Sequence, residues 1–350
     1  MNQVQSHHSG PIEKFKLAAY CRPNYNDLDQ WIHFLTTKGI KEFNLRYFDF
    51  CKHYKLPSCL FSCPRLSHLM LYGCVFELSA SFEGFYNLAC LELIQVSING
   101  GTLENLILNC PVLERLTLLK IGPLTCLKII NQNLKYLRIN SEFEDIYVGN
   151  SPLLATVDIC LIPEKRIGST PQFLKKGRAY NLETNVDLVS DHLSGLKRLT
   201  LSGSFLEFLA MNCTPKRCHF VFPHLVAVHL KEVRFDSLHE VLVSLSIIRS
   251  APNIEELHIS VGCSHYGRQW VELLQAECLS EYYFERLSVV RMVGFLEAHF
   301  VCEFMKFVLA RSPVLERMTT VNYGYQNTLK SLLQQVEPAS EHAKVEYFTL

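Results

Sequence analysis

The chain has 350 residues, with 34 Lys+Arg against 34 Asp+Glu, so its formal charge is zero. A 48% apolar fraction excludes a disordered chain. The balanced charge gives no global pull towards nucleic acid or an anionic membrane surface, and neither is expected as a partner. In chain order, Met1 to Gly10 is polar and lacks the apolar core of a secretory signal. Residues 1–25 read as a poorly ordered lead-in. Asn26 or Asp27 then suits the cap of a helix carrying Trp31, Phe34 and Leu35, with Gly39 as its terminator.

From Ile40 onward the chain repeats itself. The pattern L-x-x-L-x-L, with Ile, Val or Met at times replacing Leu, starts at Leu66, Leu88, Leu113, Leu134, Leu154, Leu196, Leu225 and Ile254. Weaker copies start at Ile40, Leu287 and Leu315. Successive starts lie 26, 22, 25, 21, 20, 42, 29, 29, 33 and 28 residues apart. These are leucine-rich-repeat periods of roughly 20–29 residues, or slightly longer, and the 42 is two short periods with one degenerate copy between them. Proline stands two residues before the first apolar position in six copies: Pro64, Pro111, Pro152, Pro223, Pro252 and Pro313. Each of these reads as a helix ending, a proline, then a short strand. Small residues fill the slot before the proline at Cys63, Cys110, Ala251 and Ser312.

Helical segments lie between several strands. Asn99-Gly100-Gly101 is a turn before a helix start at Thr102. Ser237 and Glu240 have capping-box spacing ahead of a stripe of Leu238, Val241, Leu242, Leu245 and Ile248. Phe300, Phe304, Phe307 and Val308 mark another helix. The fold expected is an α/β leucine-rich-repeat solenoid with parallel strands on one face and helices on the other. Residues 26–270 form the array, and residues 271–350 close it. One repeat cannot bury its leucines alone, so the array supports itself only by stacking.

In x-L-x-L the leucines point inward and the residues between them point outward. The outward row expected to bind protein is His68, Met70, Glu92, Arg115, Thr117, Tyr136, Arg138, Asp158, Arg198, His229, Glu256 and His258. Its mixed charge with Arg, Tyr and His suits recognition of another protein; the plainer reading is a solvated sheet face.

Chemistry of other kinds has weak support. There is no phosphate-binding glycine loop, no H-E-x-x-H and no nucleophile elbow, so neither a cofactor nor catalysis is expected. Cys213, Cys218, His219 and His224 have a zinc-like composition, but their spacing matches no zinc module. They support only the alternative reading of a metal-dependent enzyme. Cys59 with Cys63, and Cys263 with His265, are weaker still. The 14 cysteines are spread from Cys21 to Cys302 and read as reduced, mostly buried thiols of a cytoplasmic or nuclear protein. No run approaches 18 apolar residues, so no transmembrane helix is expected.

Two segments carry a family resemblance. Phe284-Glu-Arg-Leu-Ser-Val-Val-Arg-Met-Val-Gly-Phe295, the helix after it, and Ala310-Arg-Ser-Pro-Val-Leu-Glu-Arg-Met318 are similar to the FBD module of plant F-box/FBD/LRR-repeat proteins. The tail from Leu332 through Pro338 to Phe348 resembles that module's helix and final strand. Gly10-Pro-Ile-Glu-Lys-Phe-Lys-Leu17, Asp27-Leu-Asp-Gln-Trp-Ile32 and Lys38-Gly-Ile-Lys41 resemble the segment that follows the F-box. The resemblance implies that the repeats bind a substrate protein for an SCF ubiquitin ligase and that an F-box docks on the Skp1 adaptor. Only nine residues stand before Gly10, so the chain as given is expected to lack that F-box and not to bind Skp1. A truncated, non-functional family member is the other reading.

Overall fold

The computed structural model describes residues 10–20, 25–48, 53–78, 82–162, 193–212, 222–262, 283–295, 299–323 and 326–349. The chain divides into two compact units, Met1–Leu154 with Leu161–Gly177, and Ala155–Cys160 with Arg178–Leu350.

In chain order the first unit contains β1 (Lys14–Tyr20), α1 (Tyr25–Thr37), β2 (Glu42–Phe48), β3 (Tyr54–Lys55), β4 (His68–Tyr72) and β5 (Cys74–Val75). There follow β6 (Cys90–Ile94), α2 (Gly100–Leu108), β7 (Arg115–Leu119), β8 (Leu124–Ile130), β9 (Tyr136–Ser141) and β10 (Phe143–Gly149). Strands pair in the order β1-β2-β4-β6-β7-β9, each pair parallel. The register aligns Phe43, Leu69, Leu91, Leu116 and Leu137 in one line, and Leu45, Leu71, Leu93, Leu118 and Ile139 in the next. None of these is more than 1% exposed. Each such side chain contributes about 1.5–3 kcal/mol on burial. The expected lead-in is ordered from Lys14: Phe15, Leu17 and Ala19 alternate as a strand, and Phe15 stacks on Phe43 at 5.7 Å.

The second unit contains β11 (Thr156–Leu161), β12 (Arg198–Ser202), α3 (Gly203–Asn212), β13 (Ala227–Val233), α4 (Leu238–Arg249) and β14 (Glu256–Val261). It continues with β15 (Val289–Gly294), α5 (His299–Arg311), β16 (Arg317–Asn322), α6 (Gln326–Leu333) and β17 (Lys344–Thr349). These strands also pair in parallel, in sequence order from β11 to β17. Val157, Leu199, Val228, Leu257, Val290 and Met318 share one register line and are buried. Where the neighbouring line reaches Thr320, a buried hydroxyl replaces leucine. It stays satisfied by donating to the Glu346 carbonyl at 3.0 Å.

The longest and the shortest repeats return the chain to the next strand by different means. The 28- to 33-residue repeats from Leu225 onward hold the 12- and 13-residue helices α4 and α5. The 21- and 20-residue repeats starting at Leu113 and Leu134 return instead through β8 and β10, which pair in parallel. A helix rises only 1.5 Å per residue, against about 3.3 Å for a strand, so a short repeat crosses the fold most economically in extended form. Between these lengths either return occurs: the 25-residue repeat from Leu88 holds the 9-residue α2, and the 26-residue repeat from Ile40 holds the short strand β3 and a 3-10 turn.

The expected order of helix end, proline and strand holds at Pro111, Pro252 and Pro313, which follow α2, α4 and α5, whereas β10 precedes Pro152. Each proline sits second in a β-turn that closes just before the strand. The Leu66 amide donates to the Cys63 carbonyl at 3.4 Å, Leu113 to Cys110 at 3.1 Å, Leu225 to Phe222 at 3.2 Å and Ile254 to Ala251 at 3.1 Å. The fixed φ of proline suits that position. The preceding residue is buried, but it need not be small: Phe222 fills the slot before Pro223. An asparagine in the third turn position ties one repeat to the one before. Asn87 and Asn133 donate to the Pro64 and Pro111 carbonyls at 2.6 Å, and Asn253 donates to Pro223 at 2.7 Å.

Helix ends show the expected residues in shifted roles. α1 begins at Tyr25, so Asn26 and Asp27 lie in its first turn and do not cap it. Gly39, with φ +70°, ends it as expected. α2 begins at Gly100, two residues before the expected Thr102, because Asn99 Oδ1 accepts the Thr102 amide at 2.8 Å. Ser237 caps α4 by accepting from the Glu240 amide at 3.4 Å. The Glu240 side chain does not complete a capping box. It is fully buried and accepts from Arg234 Nε at 2.7 Å and from the Arg234 amide at 3.2 Å.

Candidate protein-binding face

The residues between the ladder leucines form two polar rows in each unit. In the first unit one row runs Lys14, Glu42, His68, Cys90, Arg115, Tyr136, and the other Lys16, Asn44, Met70, Glu92, Thr117, Arg138. Neighbouring strands lie about 4.8 Å apart, so adjacent members touch. The Arg115 guanidinium sits over the Tyr136 ring, 4.3 Å from its centroid. Lys14 pairs with Glu42, and that hydrogen bond holds the Glu42 carboxyl below its usual range. The Ser67 hydroxyl lies 3.0 Å from His68 Nδ1. Cys90 Sγ lies 3.9 Å from Glu92 Oε1, and burial pushes its thiol up. Thus His68, Met70, Glu92, Arg115, Thr117, Tyr136 and Arg138 share one face, which carries both signs of charge and the Tyr136 ring under Arg115.

In the second unit the rows are Thr156, Arg198, Ala227, Glu256, Val289, Arg317, Lys344 and Asp158, Thr200, His229, His258, Arg291, Thr319, Glu346. Here Asp158, Arg198, His229, Glu256 and His258 are brought together. Arg198 Nη1 lies 3.7 Å from Glu256 Oε2, and Lys231 Nζ 3.9 Å from Asp158 Oδ1. The His229 and His258 rings stack with centroids 4.3 Å apart and planes 10° from parallel. Burial, with the other imidazole adding to it for His229, moves both pKa values down, so both rings are neutral at pH 7.

Lys14 and Lys16 at one end of the first rows, and Lys344 and Glu346 at the end of the second, extend the face beyond the sequence-based selection. The signal for them was present as the alternation Lys14-Phe15-Lys16-Leu17 and Lys344-Val345-Glu346-Tyr347.

The sequence-based metal cluster is not assembled by the described residues. Cys213, Cys218 and His219 lie outside them, and His224 is an exposed turn residue before Leu225. Cys263, His265 and Trp270 also lie outside the described residues, whereas Trp31 is in the core. Among the described residues, eight cysteines are free thiols; Cys63, Cys74, Cys110 and Cys302 are buried, and Cys59, Cys90, Cys126 and Cys160 half-buried. No described helix is long and apolar enough to cross a membrane.

The leucine ladders, the recurrent turn before each strand and the polar rows between the leucines define an α/β leucine-rich-repeat protein. Within that class the chain belongs to the leucine-rich-repeat family of FBD-associated F-box proteins: the family described as FBD-associated F-box protein At5g56370, LRR repeats, matches residues 28–259. The chain is 32% identical over 318 residues to the F-box/FBD/LRR-repeat protein At1g13570 of Arabidopsis thaliana, spanning 89% of this chain and 73% of the relative. It is 24% identical over 357 aligned positions to the F-box/LRR-repeat protein At5g02700 of the same plant, spanning 91% of this chain and 74% of the relative. The alternation β15, α5, β16, α6 and β17 gives the FBD-like end its form.

Proposed function

We propose that the chain is a non-catalytic substrate-recognition module of the F-box ubiquitin-ligase type, binding a protein in the cytoplasm or nucleus through the outward strand face. The observation that carries this reading is the continuity of mixed-sign and aromatic side chains along registered strands, above all Arg115 on Tyr136 beside Arg138. Arginine and tyrosine dominate binding energy where they are desolvated by a partner. The names of the relatives support a ligase context, in which an F-box docks on the Skp1 adaptor.

Affinity capture from plant extract tests it. Wild-type protein is expected to recover a specific partner that R115A/Y136A/R138A and R198A each lose by at least about 30-fold in affinity, the 2 kcal/mol of a binding hot spot. K128A, on the return strand β8, should retain it. Equal recovery by wild type and the face variants would overturn the reading.

A further inference from the structure

We propose that His229, Glu256 and His258 form a site for Zn²⁺ on the outward face of β13 and β14. The inference goes beyond the protein-binding reading and does not rest on it.

Glu256 and His258 stand two residues apart on β14, so strand alternation puts both on one face. His229 lies directly opposite His258 in the parallel register. One nitrogen of each histidine and one oxygen of Glu256 all lie within 4.8 Å of one another. Two imidazoles and a carboxylate are a zinc donor set that leaves a fourth position open. A second observation points the same way. His229 Nε2 is closed off from solvent and has no hydrogen-bond partner among the described residues. A buried polar nitrogen left unpaired is costly, and a metal would satisfy it.

The surrounding charge selects the class of cation. Arg198 approaches Glu256 at 3.7 Å, Lys231 lies on the same strand as His229, and Arg291 pairs with His258 in register. Three neighbouring cations disfavour hard ions such as Ca²⁺ and Mg²⁺, which bind through oxygen and charge alone. Zn²⁺ gains from bonding to imidazole nitrogen. With the rings nearly parallel, their in-plane lone pairs do not converge, so each ring must turn about its Cβ–Cγ bond. That torsion is broad, and metal binding therefore breaks the stack.

The test uses the full chain without an affinity tag, stripped with chelator and titrated with Zn²⁺ by calorimetry at pH 7.5. Co²⁺ absorption reports the coordination. One Zn²⁺ per chain and a tetrahedral Co²⁺ spectrum are expected. H229N, H258N and E256Q should each weaken binding by more than about 100-fold, beyond the loss typical of a merely orienting neighbour. Circular dichroism melts identify a variant that fails to fold, and E256Q, on a half-exposed side chain, is the one least dependent on packing. Absence of stoichiometric binding, or binding by folded variants equal to wild type, would overturn the proposal. The second result would place the ion on other histidines.

Discussion

Replacing Gly73 by alanine should be among the most damaging single-atom additions to the first unit. Gly73 follows β4 with φ +71°, and a Cβ there would lie 2.1 Å from the Tyr47 carbonyl oxygen. The obstacle is backbone, so no rotamer change relieves it. Left-handed geometry costs an alanine roughly 1–2 kcal/mol relative to glycine. The displacement also strains two bonds: the Gly73 amide donates to the Ile94 carbonyl at 3.1 Å, and the Tyr54 amide to the Gly73 carbonyl at 3.3 Å. At about 1 kcal/mol each, these bring the expected loss to about 3–4 kcal/mol. The adjacent repeats supply the control. Gln95 and Lys120 follow β6 and β7 with φ 51° each, and already carry side chains. Lys120→Gly relieves left-handed strain while loosening the unfolded chain, so it should change stability by less than about 1 kcal/mol. Urea denaturation followed by circular dichroism measures both. A Gly73→Ala midpoint within about 1 kcal/mol of wild type, at unchanged slope, would refute the steric argument.

Other predictions follow from the ladders and their polar ties. Leu116→Ala removes a fully buried ladder side chain and should cost about 3–5 kcal/mol in the same denaturation assay. Asn131 donates to the Ile107 carbonyl at 3.1 Å and the Cys110 carbonyl at 2.9 Å, so Asn131→Ala removes two buried hydrogen bonds from carbonyls that each keep a backbone donor, and should cost about 2 kcal/mol; calorimetric melting checks this. Burial pushes the Cys63, Cys74 and Cys110 thiols up to about 12 from an ordinary 9.0. These three should resist alkylation at pH 8 until the protein is unfolded, as read by peptide mass mapping. The unfolded thiols release protons first as pH rises past about 9, so stability should fall between about pH 9 and 12; a flat urea midpoint from pH 8.5 to 10.5 would contradict that.

Much of the fold is legible in the spacing of leucines. Leu69/Leu71 or Leu257/Ile259 can be assigned inward from alternation alone, because a strand has only two faces and only one can be buried. The same alternation exposes Arg115, Tyr136 and His258. Repeat length, also visible in sequence, separates the longest, helical returns from the shortest, extended ones, but not the 25- and 26-residue repeats from Leu88 and Ile40. Several local roles were not legible. Glu240 has the spacing of a capping residue, yet its carboxylate turns to Arg234, which a separate turn places within reach. Phe222 shows that the slot before proline is defined by burial and not by size, which only the neighbouring side chains set.

By itself, then, the sequence determined an α/β leucine-rich-repeat array, its inward ladders, and the strand positions available to a partner, because these depend on periodicity along one chain. The tertiary structure decided which outward residues meet. His229 and Glu256 are 27 positions apart in sequence and become neighbours only because β13 and β14 pair in one particular register. A slip of one residue in that register would send one member of the cluster to the opposite face. The lengths of the intervening repeats and the turns that close them fix the register, and the chemistry of the face depends on it.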